Sequence, residues 1–362
     1  MKTDFLIIGQ GLAGSLLSWE LIRRGRRVLV VDRDESETAS KVAAGLITPL
    51  AGNRFNLPDL LPARLKEAQR CYWEIEEETG SRLFHHRRIL RLFQNSAERE
   101  TWEQRLASNP DEYDPFHEPL AVDPSIANAP WGGFEMKGGG WLDVPAFLDV
   151  TQQMLLERAS YAIGRVRPEQ VRRSNGEILW KNVRARGAIF CQGWQGEGNR
   201  FFDWVKFNSA AGDILTGELE PLPPRSDREA EADSRVLNSG GWLIPLGGDR
   251  VRAGSTYRHE FDESDLLSGS GGDEGRNEVL AKIERLTPRR FSLETHRAAI
   301  RPIIHRSRPF LGQHPTEPGI YFFNGLGSKG VLNGPSHARE LADLILDGKP
   351  VRAEADVCSL KV

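Results

Sequence analysis

Three cysteines in 362 residues, Cys71, Cys191 and Cys358, are too few and too widely spaced for a disulfide framework. Without a CxxC pair they carry no zinc signature either. No apolar run approaches the roughly 18 residues that span a bilayer, so no integral membrane segment is expected. The first run, Phe5 to Ile8, stops at a glycine and is too short for a secretory signal. An excess of one charge is missing as well: 48 Lys+Arg against 51 Asp+Glu leave a formal charge of −3. That balance gives the chain no global drive toward nucleic acid or an anionic membrane, although local basic patches stay open. Hydrophobic residues are sparse at 39%. These absences predict a cytoplasmic protein in a reducing compartment. At roughly 150 residues per domain the length predicts two domains, and 36 Gly with 21 Pro predict many turns.

What is present begins near the N-terminus. A strand-length run, Phe5 to Ile8, enters Gly9-Gln10-Gly11-Leu12-Ala13-Gly14, which fits GxGxxG. An amphipathic helix is predicted from about Ala13 to Arg24, with Leu16, Leu17, Leu21 and Ile22 on its apolar stripe and Gly25 as its C′ residue. A second apolar run, Arg27 to Val31, ends at Asp32, 18 residues after Gly14. Each part has a physical task. Gly9 permits the tight turn, Gly11 lets backbone approach a pyrophosphate, and Gly14 lets the helix lie close on the strand. The helix N-terminus presents amides to phosphate, and the acid accepts from ribose hydroxyls. Dinucleotide binding follows. NAD and FAD both fit this unit, and it does not choose between them.

Further along, Ser40 to Pro49 is small and apolar, which suits either close approach to a planar ring or an ordinary connection. A helix is predicted from Leu60 to Thr79 and a strand over Arg87 to Phe93, while residues 108–137, rich in Pro, Asp and Asn, read as irregular loop. His85-His86 has no partner ligands at useful spacing and reads as a solvated pair, so no metal is expected. Asp143 N-caps a helix running to about Arg158. Gly187 to Trp194 is a buried strand suited to lie parallel to the first, with Cys191 more a packing residue than a reactive thiol. Trp242–Pro245 and Arg250–Thr256 form a hairpin about Gly247-Gly248-Asp249. Asp227 to Ser234 and Ser268 to Arg276 read as solvated loops. A strand at Ile320 to Phe323 then meets a second glycine loop, Asn324-Gly-Leu-Gly-Ser-Lys-Gly330, before a helix from about Pro335 to Asp347.

In this order the blocks Gly9–Asp32, Ala43–Pro49, Ala188–Trp194, Trp242–Thr256 and Arg301–Pro335 resemble the D-amino-acid oxidase family of FAD flavoproteins, in particular its glycine oxidase and sarcosine oxidase branch. The resemblance implies a mixed α/β (α+β) fold: a Rossmann-type FAD-binding domain, discontinuous in sequence, with a second, mainly antiparallel β substrate domain. The first would take residues 1–55, 138–212 and 296–362, the second 56–137 and 213–295. It implies FAD as cofactor, held by Gly9, Gly11, Leu12, Ala13, Gly14, Asp32 and Arg33, by Ala44, Gly45 and Leu46 at the flavin ring, and by Val166 near the adenine end. Gly193, Trp194 and the loop residues Gly325, Gly327, Ser328, Lys329 and Gly330 complete the set. Arg301 matches the family position that binds the substrate carboxylate, Lys329 a further carboxylate position in the sarcosine oxidase branch, and Trp242 an aromatic wall of the substrate pocket. Read from residues alone, Arg301 and Lys329 also suit a surface or phosphate-binding cation.

The activity so implied is oxidation of the C–N bond of an amino acid or N-methyl amino acid, with hydride passing to flavin N5 and the imine then hydrolysed. A small-molecule amine is the expected partner and no nucleic acid is expected. One departure stands out: His305 and Arg306 occupy a stretch where the family commonly carries an Asp, which predicts extra positive charge near the carboxylate and a larger or more acidic substrate than glycine. Three other readings compete. Ala-Gly-Leu-Ile-Thr-Pro-Leu, residues 44–50, also resembles the oxidase half of the bifunctional tRNA 5-methylaminomethyluridine enzyme. A flavin-binding protein that oxidises no amine is the second, and an NAD-dependent dehydrogenase the third.

Overall fold

The computed structural model describes residues 1–361 apart from 51, 121, 224–233 and 263–271, without the side chain of residue 306. Of the predicted loop at 227–234 only Ser234 falls inside the described residues.

The first sheet has six strands, in the order Phe310–Gln313, Ile320–Asn324, Gly187–Phe190, Phe5–Ile8, Val28–Asp32 and Tyr161–Ile163. All neighbours run parallel except the first pair. Strands covered on both faces read as continuous apolar runs rather than alternating ones, which is why Phe5–Ile8 is buried throughout. The two faces feed two cores. Phe5, Ile7, Val28, Val30 and Ile189 meet Leu16 and Leu17 of the Leu12–Arg23 helix and Leu341 of the last helix. Leu6, Ile8, Val31 and Phe190 meet Trp180, Phe202 and Phe322 on the other side.

The second sheet has eight strands, in the order Phe291–Arg301, Ala210–Leu219, Arg250–Gly254, Trp242–Gly247, Val236–Asn238, Ile89–Leu92, Gly133–Met136 and His117–Pro119. Every pairing is antiparallel except that of Val236–Asn238 with Ile89–Leu92. The Gly272–Leu286 helix covers one face through Val279, Ile283 and Leu286. A three-stranded sheet of Leu46–Ile47, Gly140–Leu142 and Phe84–His86 joins the two large ones.

Four readings of the sequence are corrected. Residues 108–137 are not loop throughout: Pro110–Tyr113 is a short helix, and His117–Pro119 and Gly133–Met136 are strands. Their pairing with each other and with Ile89–Leu92 is non-local, and at Gly133 any side chain would strike the Arg91 carbonyl. The predicted loop at 268–276 lies partly outside the described residues, but Gly272–Arg276 opens a helix. Glycine stands inside that helix because a Cβ at Gly275 would collide with the Asp213 carboxylate. His85 is not a solvated partner of His86: it is half-buried and stacks on Trp141, ring centroids 4.1 Å apart, and burial pushes its pKa down. Among the described residues no three His, Cys, Asp or Glu side chains gather as metal ligands.

The fourth concerns the last helix, which begins at Gly330 rather than Pro335 and carries that proline inside it. Proline has no N–H, so the Val331 carbonyl four residues back loses its helical donor. The fully buried Tyr72 hydroxyl replaces it, donating to Val331 O at 2.7 Å. Tyr72→Phe should therefore strand a buried acceptor and cost about 1–2 kcal/mol, read as a lowered midpoint in urea unfolding with the flavin spectrum of the folded protein unchanged.

Candidate functional site

A single cavity of about 750 Å3 runs from the first glycine turn to the face of the eight-stranded sheet. At its first end Gly9 adopts φ 106°, and a side chain there would strike the Cys191 carbonyl. Gly14 lies against the Gly9 carbonyl so closely that no Cβ fits, which sets the helix hard on the strand. Gly11 caps the Leu12–Arg23 helix without a side-chain bond, and no acid occupies the first turn. One amide is already used: Leu12 N donates to Ser40 Oγ at 3.0 Å. The remaining dipole end is free for an anion. Asp32 is held by the turn itself, accepting from Gln10 N at 2.6 Å and Asp34 N at 2.7 Å. Each oxygen keeps a lone pair for a further donor. Arg33 pairs with Glu35, whose other oxygen accepts from Gln195 Nε2 at 2.8 Å.

In the middle, Ala39–Val42 is a short helix capped by Thr38, whose hydroxyl accepts from Lys41 N. Gly45 follows at φ 71°, its α-carbon pressed on the Leu142 carbonyl, and Leu46–Ile47 pairs with Gly140–Leu142. Backbone thus lines this stretch at close range. Gly193 turns the end of the Gly187–Phe190 strand, and its carbonyl accepts from Asn324 Nδ2 at 2.8 Å, which ties it to the second glycine loop.

At the far end Arg301 closes the Phe291–Arg301 strand. Among the described residues its Nη2 reaches only Ser255 Oγ, at 3.4 Å, and its buried Nη1 has no partner. The guanidinium lies over the Tyr257 ring at 5.2 Å. Gly212 makes the space: a Cβ there would come within 2.5 Å of Nη2. Burial lowers the Arg301 pKa from its ordinary value, but a guanidinium stays charged. Lys329 lies in the short turn before the last helix, its pKa also pushed down, first by burial and then by Arg64. Trp242 walls the same cavity. The carboxylates that line it are Asp32, Glu35, Glu169 and Glu197, and none comes from the sheet that carries Arg301.

All the residues assigned from sequence to the cofactor, the carboxylate or the aromatic wall line this one cavity except Gly14 and Gly325. Gly14 lies beneath the turn, and Gly325 packs on Ile304 and the Arg308 carbonyl. His305 is exposed and off the cavity, so the expected extra charge at the carboxylate does not come from it. Sequence reasoning missed Gly212, Ser255 and Tyr257, whose relation to Arg301 is set by strand pairing across the sheet and leaves no local pattern. It also missed the group that holds them. Asp213, fully buried, accepts from Thr256 Oγ1 at 2.5 Å and Arg258 Nη2 at 2.9 Å, with His296 Nε2 at 2.9 Å. Burial alone would raise its pKa, but those three bonds bring it below the ordinary value. Cys191 is buried and its thiol pKa raised, as a packing residue requires.

A parallel sheet with a glycine-lined cradle, roofed by an antiparallel sheet bearing a buried arginine, defines a dinucleotide-dependent oxidoreductase architecture. Residues 4–344 match the DAO family of FAD dependent oxidoreductases, and the chain belongs to it. Glycine oxidase of Bacillus licheniformis is 22% identical over 98% of this chain and 95% of its own length. The tRNA 5-methylaminomethyl-2-thiouridine biosynthesis bifunctional protein of Burkholderia pseudomallei is 25% identical over 98% of this chain but only 58% of that protein. Among solved structures, iminodiacetate oxidase of Chelativorans shares the fold at TM-score 0.77 with 22% identity, over 96% of both chains. FAD is the family's cofactor, and the cradle fits it: Gly9, Gly11 and Gly45 line it without side chains, and the helix N-terminus beside them carries no acid in its first turn. No helix among the described residues is long and apolar enough to cross a membrane.

Because the atom that Gly212 crowds is the tip of a flexible side chain, Gly212→Ala should displace the guanidinium and leave the backbone in place. The expected outcome is full FAD content with roughly tenfold weaker binding of a carboxylate inhibitor, measured by flavin difference spectra.

Proposed function

We propose that this enzyme oxidises the C–N bond of an amino acid or N-methyl amino acid. The observation that carries the reading is the Arg301 Nη1: a buried guanidinium nitrogen without an acceptor, aimed into the cavity of an FAD enzyme. A planar guanidinium grips a carboxylate through two parallel charge-assisted bonds and so fixes its orientation. Gly9, Gly11, Leu12, Ala13, Asp32 and Arg33 would hold the nucleotide half of FAD, Ala44, Gly45 and Leu46 the flavin ring, and the Gly327–Gly330 turn the remaining edge. Bound FAD supplies the two-electron acceptor that takes the hydride from the substrate carbon.

The chain's own residues then have three tasks. Arg301 binds the substrate carboxylate and thereby fixes the α-carbon, the orientation that contributes most to such a reaction. Trp242 walls the cavity, the Tyr257 ring backs the guanidinium, and Lys329 adds a second cation. No side-chain base is required, because the amine reacts neutral and water hydrolyses the imine. The absence of a carboxylate on the Arg301 sheet among the cavity's lining residues supports this.

We place the FAD-binding part at 1–55, 138–212 and 296–362 and the substrate part at 56–137 and 213–295. The boundaries at 212 and 296 cut the paired strands Ala210–Leu219 and Phe291–Arg301, so Gly212 and Arg301 reach the cavity from the shared seam. The tRNA reading rests on similarity to part of a larger bifunctional protein. It predicts salt-dependent tRNA affinity, against which the charge of −3 weighs.

Anaerobic mixing of the purified yellow protein with D-, L- and N-methyl amino acids should bleach the flavin, and the rate of recolouring in air then measures its reactivity with oxygen. Arg301→Leu should retain FAD yet cost about 3 kcal/mol in kcat/KM for carboxylate substrates, on the order of a hundredfold. Unchanged amino-acid kinetics in that variant would sink the assignment.

A further inference from the structure

Alternate residues of a strand face the same way, so Arg301, Ala299, Arg297 and Thr295 form one row along the Phe291–Arg301 strand. Directly paired residues share a face. Ile214 pairs with Arg297, and Thr216 pairs with both Thr295 and Arg252. The face that carries Arg301 therefore continues into a patch of Arg252, Arg297, Thr216 and Thr295. There it opens into a second cavity of about 270 Å3, lined by those four residues, Arg250 and the apolar Val42, Ile214 and Leu246, with no acid in its lining among the described residues. Val42 and Ile214 line both cavities and, with Ala299 and Trp242, pack into an apolar partition between them.

The three arginines are not equivalent. Arg250 is paired with Glu294 at 3.0 Å, and Arg297 with Glu37 at 3.1 Å. Arg252, half-buried, has neither hydrogen bond nor ion pair among the described residues. Burial pushes its pKa down, Asp143 opposes this from beyond contact, and Arg297 and Arg250 add to it. The Asp143 carboxylate is engaged elsewhere, accepting from Ala146 N at 3.2 Å. A half-buried cation beside two other cations, with no acid in contact, lacks the partner such groups normally have, and the two hydroxyls beside it can donate to the same anion.

We propose that this second cavity is an anion site, taking a carboxylate or phosphate group against Arg252 with Thr216 and Thr295 as further donors. Two sources supply such a group. One is a free small anion seated behind the partition. The other is the remote acid of an extended amine substrate whose first carboxylate sits on Arg301; Arg252 lies in register with Thr295, six residues and about 20 Å along the strand from Arg301, so only a long substrate reaches both. The second source rests on the amine-oxidation reading; the first does not.

The test uses the FAD-loaded enzyme and its Arg252→Met variant. Calorimetric titration with inorganic phosphate and with glutarate should show saturable binding of at least one of them in the native enzyme, weakened about tenfold or more in the variant. Kinetics then separate the sources. A KM that rises about tenfold for an extended, long-chain dicarboxylic amine while that for sarcosine stays put assigns the site to the substrate's remote acid. Lost phosphate binding with both KM values unchanged assigns it to a free anion. If Arg252→Met fails to fold, Thr295→Val keeps every charge and should weaken the same titration about threefold. No saturable binding of either anion, or equal binding by native enzyme and variant, overturns the proposal. An enzyme that binds phosphate but bleaches with no amine would refute amine oxidation and leave the anion site standing.

Discussion

A guanidinium withdrawn from water without its anion is the feature on which the rest of the architecture turns. Left alone, a buried charge is among the most costly groups a protein can hold. Arg301 is held in that state by geometry rather than by a counter-ion: the Tyr257 ring lies under it, Ser255 offers one long bond, and Gly212 supplies the space. A protein that keeps such a group must recover the cost on binding, and a carboxylate recovers it best because it matches the planar fork with two acceptors. Affinity and orientation thus come from one interaction.

That arrangement dictates the strand beside it. Ala210–Leu219 shows almost no alternation of buried and exposed residues, because neither face meets water. One face, through Gly212 and Ile214, looks into the cavity. The other carries Asp213 toward the Gly272–Leu286 helix, where Gly275 has no side chain to obstruct it. The Asp213 carboxylate reaches across to Thr256 and Arg258, which flank Tyr257. A buried acid on one side of the sheet therefore fixes the segment that supports the arginine on the other. Such a network is worth its desolvation cost only when fully satisfied, and Asp213 is met by three partners.

The legible part of this molecule was local. Gly9, Gly11, Gly14 and Asp32 declare themselves because turn, helix start and strand end lie within one continuous unit, and the apolar runs of a doubly covered parallel sheet leave a clear trace. Helix ends were harder. Pro335 looked like a helix start because proline is welcome there, and only Tyr72, 263 residues earlier in the chain, reveals how it is accommodated inside. The region 108–137 carries Pro, Asp and Asn that favour turns locally, while its strands exist through pairing with Ile89–Leu92. At the site, Arg301 was recognisable through resemblance of its motif. Its supports were not, since Gly212, Ser255 and Tyr257 are brought to it by register alone.

Charge along the main cavity also has a direction. Its lining carboxylates belong to the first end or to the segments beside it, whereas neither Arg301 on the roofing sheet nor Lys329 in the turn before the last helix has an acid beside it in that lining. A field of that sign does two things to an amino acid that enters. It attracts the carboxylate, and it disfavours a second positive charge, so a bound ammonium is pushed to release its proton. The neutral amine is the form that gives up hydride most readily. On the proposed reading, cations that bind the acid group would also prepare the amine, so a site with no side-chain base on its roofing sheet would be equipped for this chemistry. On that reading the same field disfavours purely cationic amines and favours those with acid groups.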